Sequence, residues 1–142
     1  MQSPADVTQT FLTGWADDPA GTMATMVAPD IVYTLNVTPE AMQLGGETVG
    51  WDAVNAKMMG IREVFDYLVY KPRILGVDGD QVRARIEMIF RHKTSGELLM
   101  GQMRTVVTVR DGQIARVDEY VDAPLIESFM RMFAGAGAPG QA

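Results

Sequence analysis

The sequence contains no cysteine and a single histidine. Without cysteine there are no disulfide bonds and no thiolate chemistry, and a zinc site would have to form without sulfur ligands. A single histidine also argues against a transition-metal site, because such sites usually draw on several imidazole or thiolate ligands. The motifs G-x-S-x-G and H-x-x-x-H are absent too. We therefore expect neither a metal nor another cofactor.

Long hydrophobic runs and clusters of basic residues are missing as well. No apolar stretch approaches the roughly 20 residues needed to cross a bilayer, and the N-terminus shows no basic and then apolar signal region. The 12 basic residues are scattered, and the net charge is −6, which disfavours contact with a phosphate backbone. We expect a cytoplasmic protein that binds neither membrane nor nucleic acid.

What is present is an ordinary globular composition. The chain has 142 residues, of which 47% are hydrophobic and 21% charged, and this suits one domain with its own core. We expect a single domain over residues 1–133, followed by a flexible tail of small residues over 134–142. Eleven methionines either fill the core or line a site for an irregular apolar ligand.

Three long strands are predicted over residues 81–93, 97–110 and 113–121, joined by two glycine-containing turns. In each strand one register is apolar and the other is polar or charged, which indicates a sheet buried on one face. The apolar register comprises Ala84, Ile86, Met88, Phe90, Leu99, Met103, Val107, Val109, Ala115, Val117 and Val121.

The elements around these strands follow from caps and periodicity. Ser3 and Pro4 start a first helix, and Pro19 starts a second that runs to about Val27. Further predictions are a strand over 31–37, a loop over 38–50 with a short extended piece around 47–49, a helix over 51–64, an edge strand over 66–77 that contains a proline, and a last helix after residue 124. This order predicts an α+β fold: a cone-shaped, curved antiparallel sheet wrapped around the N-terminal helices, with a cavity inside.

Glu119 breaks the pattern of the last strand. It lies between Val117 and Val121, so its carboxyl group points to the same face as the apolar side chains. An ionised group among aliphatic side chains costs several kcal/mol unless it is paired or protonated. Glu119 is therefore our candidate acid/base, and the alternative is a structural pair with a donor from one of the helices.

The turn at Asp111–Gly112 fixes the surroundings expected for Glu119. Both strands must keep their odd-numbered residues on the inner face, so paired numbers must have an even sum. A three-residue bulged loop that pairs Val109 with Gln113 satisfies this condition. It places Glu119 opposite Met103, in a thioether environment that raises the pKa of the carboxyl by desolvation.

Tyr33 and Asn36 are the predicted catalytic partners of Glu119, because a phenol or amide near a carboxylate orients water or polarises a carbonyl. His92 lies about 16 Å away on the predicted pairing, too far for a hydrogen bond, and is assigned to the rim. The predicted ligand is a small apolar molecule. The predicted cavity-lining residues are Trp15, Leu35, Met58, Phe90, Met103, Val117 and Val121.

The chain resembles the SnoaL-like and ketosteroid-isomerase-like branch of the nuclear-transport-factor-2-like superfamily. The resemblance covers residues 5–133 and rests on the two opening helices and on five short segments: 28–33, 50–54, 85–88, 111–114 and 119–122. It implies a cystatin-like α+β barrel. The superfamily contains isomerases, cyclases, hydrolases and non-catalytic binders, so the resemblance does not fix an activity.

Residue by residue, the resemblance to each enzyme class is partial. The general base, the tyrosine and the oxyanion-hole acid of ketosteroid isomerases fall near Leu35, Thr10 and Thr105, so steroid isomerisation is not supported. The acid/base residue of polyketide cyclases matches Glu119, but their partner histidine has no counterpart.

Limonene-epoxide-hydrolase-like enzymes place an arginine between two acids, and Arg85 with Glu87 and Glu119 resembles that set. Arg85 and Glu87, however, fall in the charged register, on the opposite face from Glu119. Surface or dimer contacts are the alternative role for these two residues.

Two functional classes therefore remain. One is an enzyme that performs general acid/base chemistry of the isomerase, cyclase or hydrolase type through Glu119. The other is a non-catalytic ligand-binding or accessory protein. The resemblance also implies a homodimer that forms through the outer face of the sheet. That face is predicted to carry Arg83, Arg85, Gln102, Arg104, Val106, Asp118 and Tyr120.

Overall fold

A computed structural model of the protein describes residues 2–36 and 45–121. These residues form three helices and six strands. The helices are α1 (Pro4–Asp17), α2 (Pro19–Met26) and α3 (Trp51–Val64), and the strands are β1 (Val27–Leu35), β2 (Gly46–Val49), β3 (Phe65–Asp78), β4 (Gln81–His92), β5 (Leu98–Arg110) and β6 (Gln113–Tyr120). The predicted C-terminal helix and the predicted tail lie outside the described residues.

The helix starts follow the predicted capping. The Ser3 hydroxyl accepts a hydrogen bond from the Asp6 backbone N–H at 3.1 Å, and Pro4 occupies the first turn of α1. Asp18 caps α2 in the same way, accepting from the Gly21 N–H at 3.1 Å. These caps satisfy backbone donors that have no partner within the helix. Helix α1 buries an apolar stripe that ends at Trp15.

The six strands form one sheet in the order β2-β1-β6-β5-β4-β3. Neighbouring strands are antiparallel except β1 and β6, which run parallel. Helices α1 and α3 pack on one face of the sheet, so the α+β fold with N-terminal helices against a curved sheet is confirmed. The antiparallel expectation fails at this one pair, because β1 and β6 are far apart in the chain and no hairpin dictates their relative direction.

Strand β1 begins earlier than predicted. The sequence predicts a helix to about Val27 and a strand from residue 31, but the helix ends at Met26 and the strand starts at Val27. The register between β1 and β6 shifts between Val27 and Val32, so Pro29 falls where the ladder is interrupted. A proline is tolerated there because no ladder hydrogen bond needs its missing N–H. The predicted edge position of β3 is confirmed.

The predicted bulged loop between β5 and β6 is wrong. The strands are joined by a two-residue turn in which Arg110 pairs with Gln113, and Asp111 and Gly112 both have positive φ values of 54° and 75°. The irregularity lies inside the ladder instead, after Thr108, where β6 contains one extra residue. Beyond this bulge the inner and outer faces of β6 are those predicted, with the register moved by two residues, whereas before it Ile114 and not Gln113 faces inward.

Candidate functional site

Two adjoining cavities lie between the sheet and the helices. The sheet chamber measures about 480 Å³ and the helix chamber about 360 Å³ when the open solvent at their mouths is included. The sheet chamber is lined by Trp15, Tyr33, Leu35, Ile61, Phe65, Tyr67, Tyr70, Met88, Phe90, Leu99, Met103, Glu119 and Val121. The helix chamber is lined by Phe11, Leu12, Trp15, Met23, Val27, Ile31, Tyr33, Val54, Met58, Tyr70, Val117 and Glu119.

Glu119 is the acid of both chambers. It lies on β6 beside Leu35 of β1 and opposite Thr105 of β5, and only 8% of its surface is exposed. The predicted neighbour Met103 lies two residues before Thr105 on β5, because the hairpin register differs from the expected one, although Met103 still lines the sheet chamber. Burial raises the pKa of the Glu119 carboxyl to about 7. No basic side chain among the described residues lines either chamber.

Tyr33 is the nearest predicted partner of Glu119. Tyr33 is only 2% exposed. Its hydroxyl lies close enough to the Glu119 carboxyl to lower the pKa of Glu119 somewhat. The hydroxyl makes no well-formed hydrogen bond with any described residue. Burial and the neighbouring carboxyl raise the pKa of Tyr33 well above its ordinary value, so the phenol stays protonated and can donate to a ligand.

Tyr67 and Tyr70 of β3 also face the chambers, and the sequence interpretation missed both. Residues three apart on a regular strand point to opposite faces, but the β3–β4 register shifts between Tyr67 and Val69. The bulge at Leu68 therefore brings both phenols to the inner face. Burial, and then the charge of Glu119, raises the pKa of each tyrosine. The only signal in the sequence was a lack of clean alternation in this stretch.

Arg62 of α3 lies against the wall of the sheet chamber. Its guanidinium donates hydrogen bonds to the backbone carbonyls of Trp15 and Ala16 at the end of α1. The same group lies 3.8 Å from the centroid of the Tyr67 ring, and Phe90 stacks on Tyr67 at 4.0 Å. Tyr67 is thus held in place by a cation–π contact and by aromatic stacking.

The structure separates the predicted catalytic set. Asn36 is exposed, and its side-chain amide donates to the backbone carbonyl of Glu119 at 2.7 Å rather than to the carboxyl. Asn36 follows the last residue of β1 and lines neither chamber, and its predicted catalytic role stays a prediction. The contact fixes the backbone of Glu119.

His92 and the pair Arg85 and Glu87 also lie apart from Glu119. His92 is buried at the end of β4, where its Nδ1 lies 2.9 Å from the Ser95 hydroxyl. It is therefore inside rather than on an exposed rim, but it lines neither chamber. Arg85 and Glu87 alternate with buried residues of β4 and face outward. The epoxide-hydrolase-like trio is therefore not assembled.

The predicted lining residues do surround the chambers. Leu35, Phe90, Met103 and Val121 line the sheet chamber, Met58 and Val117 line the helix chamber, and Trp15 lines both. Their part in ligand binding stays a prediction. Across residues 2–36 and 45–121 there is no cluster of acidic and histidine side chains suited to a metal ion. The arrangement can accept or supply one proton in an apolar, aromatic-walled space.

Comparison with known proteins decides the family. The sequence model of the SnoaL-like domain matches residues 8–117. The chain belongs to the SnoaL-like family. No curated protein matches it closely enough to count as a relative.

Solved structures show the same fold at low sequence identity. A proposed SnoaL-like polyketide cyclase from Mesorhizobium loti is 21% identical, with 84% of this chain and 100% of that chain covered and a TM-score of 0.70. A nuclear-transport-factor-2-like protein from Burkholderia xenovorans is 17% identical, with 88% of this chain and 93% of that chain covered and a TM-score of 0.75. A proposed isomerase from Bacillus subtilis is 15% identical, with 98% of this chain and 94% of that chain covered and a TM-score of 0.75.

No helix in the described part of this SnoaL-like chain is both long and apolar enough to cross a membrane. The expected cytoplasmic location stays a prediction.

Proposed function

We propose that this SnoaL-like protein is a cofactor-independent enzyme in which Glu119 moves a proton to or from a small, mostly apolar substrate that carries oxygen. One observation carries the proposal. A carboxyl group with its pKa raised to about 7 lies in a cavity lined mainly by aromatic and aliphatic side chains. Near neutral pH such a group is present in both protonation states, as a general acid/base requires.

The phenols supply the second half of the chemistry. When Glu119 takes a proton from carbon beside a carbonyl, negative charge develops on the carbonyl oxygen. The Tyr33 hydroxyl is buried and has no well-formed hydrogen bond to a described residue, so it is available to donate to that oxygen. The electron pair moves from the C–H bond to the oxygen, and the proton resides on Glu119 until it is returned.

Proton exchange in heavy water tests the proposal before the natural substrate is known. Apolar ketones such as 2-tetralone are incubated with the protein, and deuterium incorporation beside the carbonyl is followed by NMR. The protein should accelerate exchange, and Glu119→Gln, which keeps the shape of the side chain, should lower the rate by about 100-fold or more. Glu87→Gln on the outer face is the matched control and should exchange like the unaltered protein.

The alternative, a non-catalytic binding or accessory protein, makes the opposite prediction. Ketones would then bind to both the unaltered protein and the Glu119→Gln variant. Deuterium exchange beside the carbonyl would proceed at the same uncatalysed rate with either protein. The epoxide-hydrolase-like reading loses its basis, because Arg85 and Glu87 face away from Glu119.

We also propose that the outer face of the sheet forms a homodimer. Met100 and Tyr120 are 59% and 50% exposed on this face, and the partly buried Ile89 and Val106 lie on it too. Such a mixture of apolar and charged groups suits a self-complementary contact. Light scattering should give about twice the 15.5 kDa mass of one chain, and Met100→Lys should shift the protein toward the monomer. A mass of one chain at micromolar concentration would exclude the dimer.

A further inference from the structure

The two chambers meet at one group of residues. Trp15, Tyr33, Tyr70 and Glu119 line both cavities. All four carry a polar side-chain atom that can form a hydrogen bond with oxygen in a ligand, namely the carboxyl, the two phenols and the indole N–H. The polar chemistry of the site is therefore concentrated at the junction between the chambers rather than at either end.

The ends of the chambers are apolar. Beyond the junction, the helix chamber is closed by side chains such as Phe11, Met23 and Met58, and it contains no further polar side chain. The sheet chamber continues toward Met88, Leu99 and Met103. Its one further polar side chain is Tyr67, whose ring is held between Arg62 and Phe90.

Both chambers are narrow as they stand. The space that the centre of a water molecule can reach is about 40 Å³ in the sheet chamber and about 20 Å³ in the helix chamber, room for a few water molecules. A ligand must therefore displace side chains. Each chamber has two methionines in its wall, Met23 and Met58 in one and Met88 and Met103 in the other, and unbranched thioether side chains change rotamer readily.

We propose that the two chambers form a single binding site for an elongated molecule with an apolar arm at each end and its oxygen function in the middle. The proposal rests on the proposed function for the role of Glu119, and it adds the shape of the substrate. The oxygen function lies at the junction, where Tyr33, Tyr70 and Glu119 meet, and one arm enters each chamber. Each methylene buried in an arm contributes about 0.8 kcal/mol, or about fourfold in affinity.

Two isomeric ketones distinguish this site from a single-chamber site. 5-Nonanone has a four-carbon arm on each side of its carbonyl, whereas 2-nonanone has the same composition with one long arm. A site with two chambers should bind 5-nonanone at least fivefold more tightly in an NMR titration. Equal affinities, or tighter binding of 2-nonanone, would overturn the proposal and leave the helix chamber as an ordinary gap in the core.

Methionine methyl signals give a second readout, on the unaltered protein. The protein is labelled at the methionine methyl carbons, and the signals are assigned by single Met→Leu changes. Addition of 5-nonanone should then shift the methyl signals of Met23 and Met58 together with those of Met88 and Met103. All four signals should follow one dissociation constant. Shifts confined to the methionines of one chamber would overturn the proposal.

A matched pair of variants then fills each chamber separately. Met58 lines only the helix chamber and Met103 only the sheet chamber. Met58→Phe and Met103→Phe should each weaken the binding of 5-nonanone by about tenfold. The affinity for 3-pentanone, whose arms are short, should change by less than about threefold. A Met58→Phe protein that folds and binds both ketones normally would contradict the proposal.

These measurements fail independently of the proposed function. If Glu119→Gln keeps the preference for 5-nonanone but the unaltered protein catalyses no proton exchange, the chamber assignment stands and the enzymatic proposal falls. If exchange is catalysed while 5-nonanone shows no preference, the reverse holds.

Discussion

Glu119 and Glu87 occupy opposite faces of one sheet, and the contrast between them separates the two regions of the molecule. Glu119 on β6 faces the chambers, and burial raises the pKa of its carboxyl to about 7. Glu87 on β4 faces outward, is exposed, and pairs across the strands with Lys71 and Gln102. The same side chain is thus a candidate acid/base on one face and a solvated charge on the other. The face, and not the residue type, decides the chemistry.

The arginines show the same contrast. Arg62 on the inner side binds two backbone carbonyls and the Tyr67 ring. On the outer face Arg73, Arg85 and Arg104 lie side by side on three neighbouring strands. These three form no ion pair with any other described residue. Water screens their repulsion there, whereas the inner face would not tolerate such a row.

The largest expected effect is on stability as a function of pH. The pKa of Glu119 is raised in the folded protein from 4.5 to about 7, so the folded state holds a proton that the unfolded state has already released. The free energy of unfolding should therefore fall as pH rises from about 4.5 to 7, by about 3 kcal/mol, and then level off. Urea unfolding at pH 4.5 and pH 8 measures this change.

The control for that experiment compares the two glutamates. Glu119→Gln should remove the fall of about 3 kcal/mol, because glutamine does not ionise, while Glu87→Gln should keep it. Equal pH profiles for the unaltered protein and Glu119→Gln would show that Glu119 is not desolvated.

The next effect concerns the two classes of arginine. Arg62→Met should lower the free energy of unfolding by about 2 kcal/mol, since it removes hydrogen bonds to Trp15 and Ala16 and the cation–π contact with Tyr67. Arg85→Met is the control and should leave stability within about 0.5 kcal/mol. Urea unfolding at neutral pH measures both, and a loss at Arg85 as large as that at Arg62 would contradict the contrast between the faces.

A smaller effect is expected at the tyrosines. Tyr33→Phe removes one buried hydrogen-bond donor. Losing one hydrogen bond of about 1.4 kcal/mol should slow proton exchange into a bound ketone by about tenfold. The pKa of Glu119 should also rise further, because the Tyr33 hydroxyl lowers it. Carboxyl-carbon NMR titration reads this pKa. Tyr120→Phe on the outer face should change neither quantity.

The smallest effect is expected in the arginine row. Arg85 pairs directly with Arg73 and with Arg104, and like charges placed opposite each other cost a few tenths of a kcal/mol. Arg85→Gln should therefore raise the free energy of unfolding of the monomer by about 0.3 kcal/mol at low salt, and the gain should vanish in about 0.5 M salt. A clear loss of stability would indicate a favourable contact, such as one across a dimer interface.

Local signals were sufficient for much of the fold. Capping at Ser3 and Asp18, the period-two pattern of β4 to β6 and the proline that marks β3 as an edge strand all act over a few residues, so they could be interpreted one segment at a time. The burial of Glu119 and Tyr33 followed from the same alternation. The pairing of Glu119 did not, because the bulge that sets the register lies within the β5–β6 ladder and not in the turn.

By itself, the sequence determined the α+β order of elements, the inward register of Glu119 and the aromatic and methionine-rich character of the core, since these depend on residue type and period alone. Only the tertiary structure decided the composition of the site. The bulge at Leu68 brings Tyr67 and Tyr70 inward, and the end of β1 turns Asn36 away from the carboxyl. Bulges and strand ends depend on how each strand is bonded to its neighbour, and one extra residue reverses which face a side chain meets.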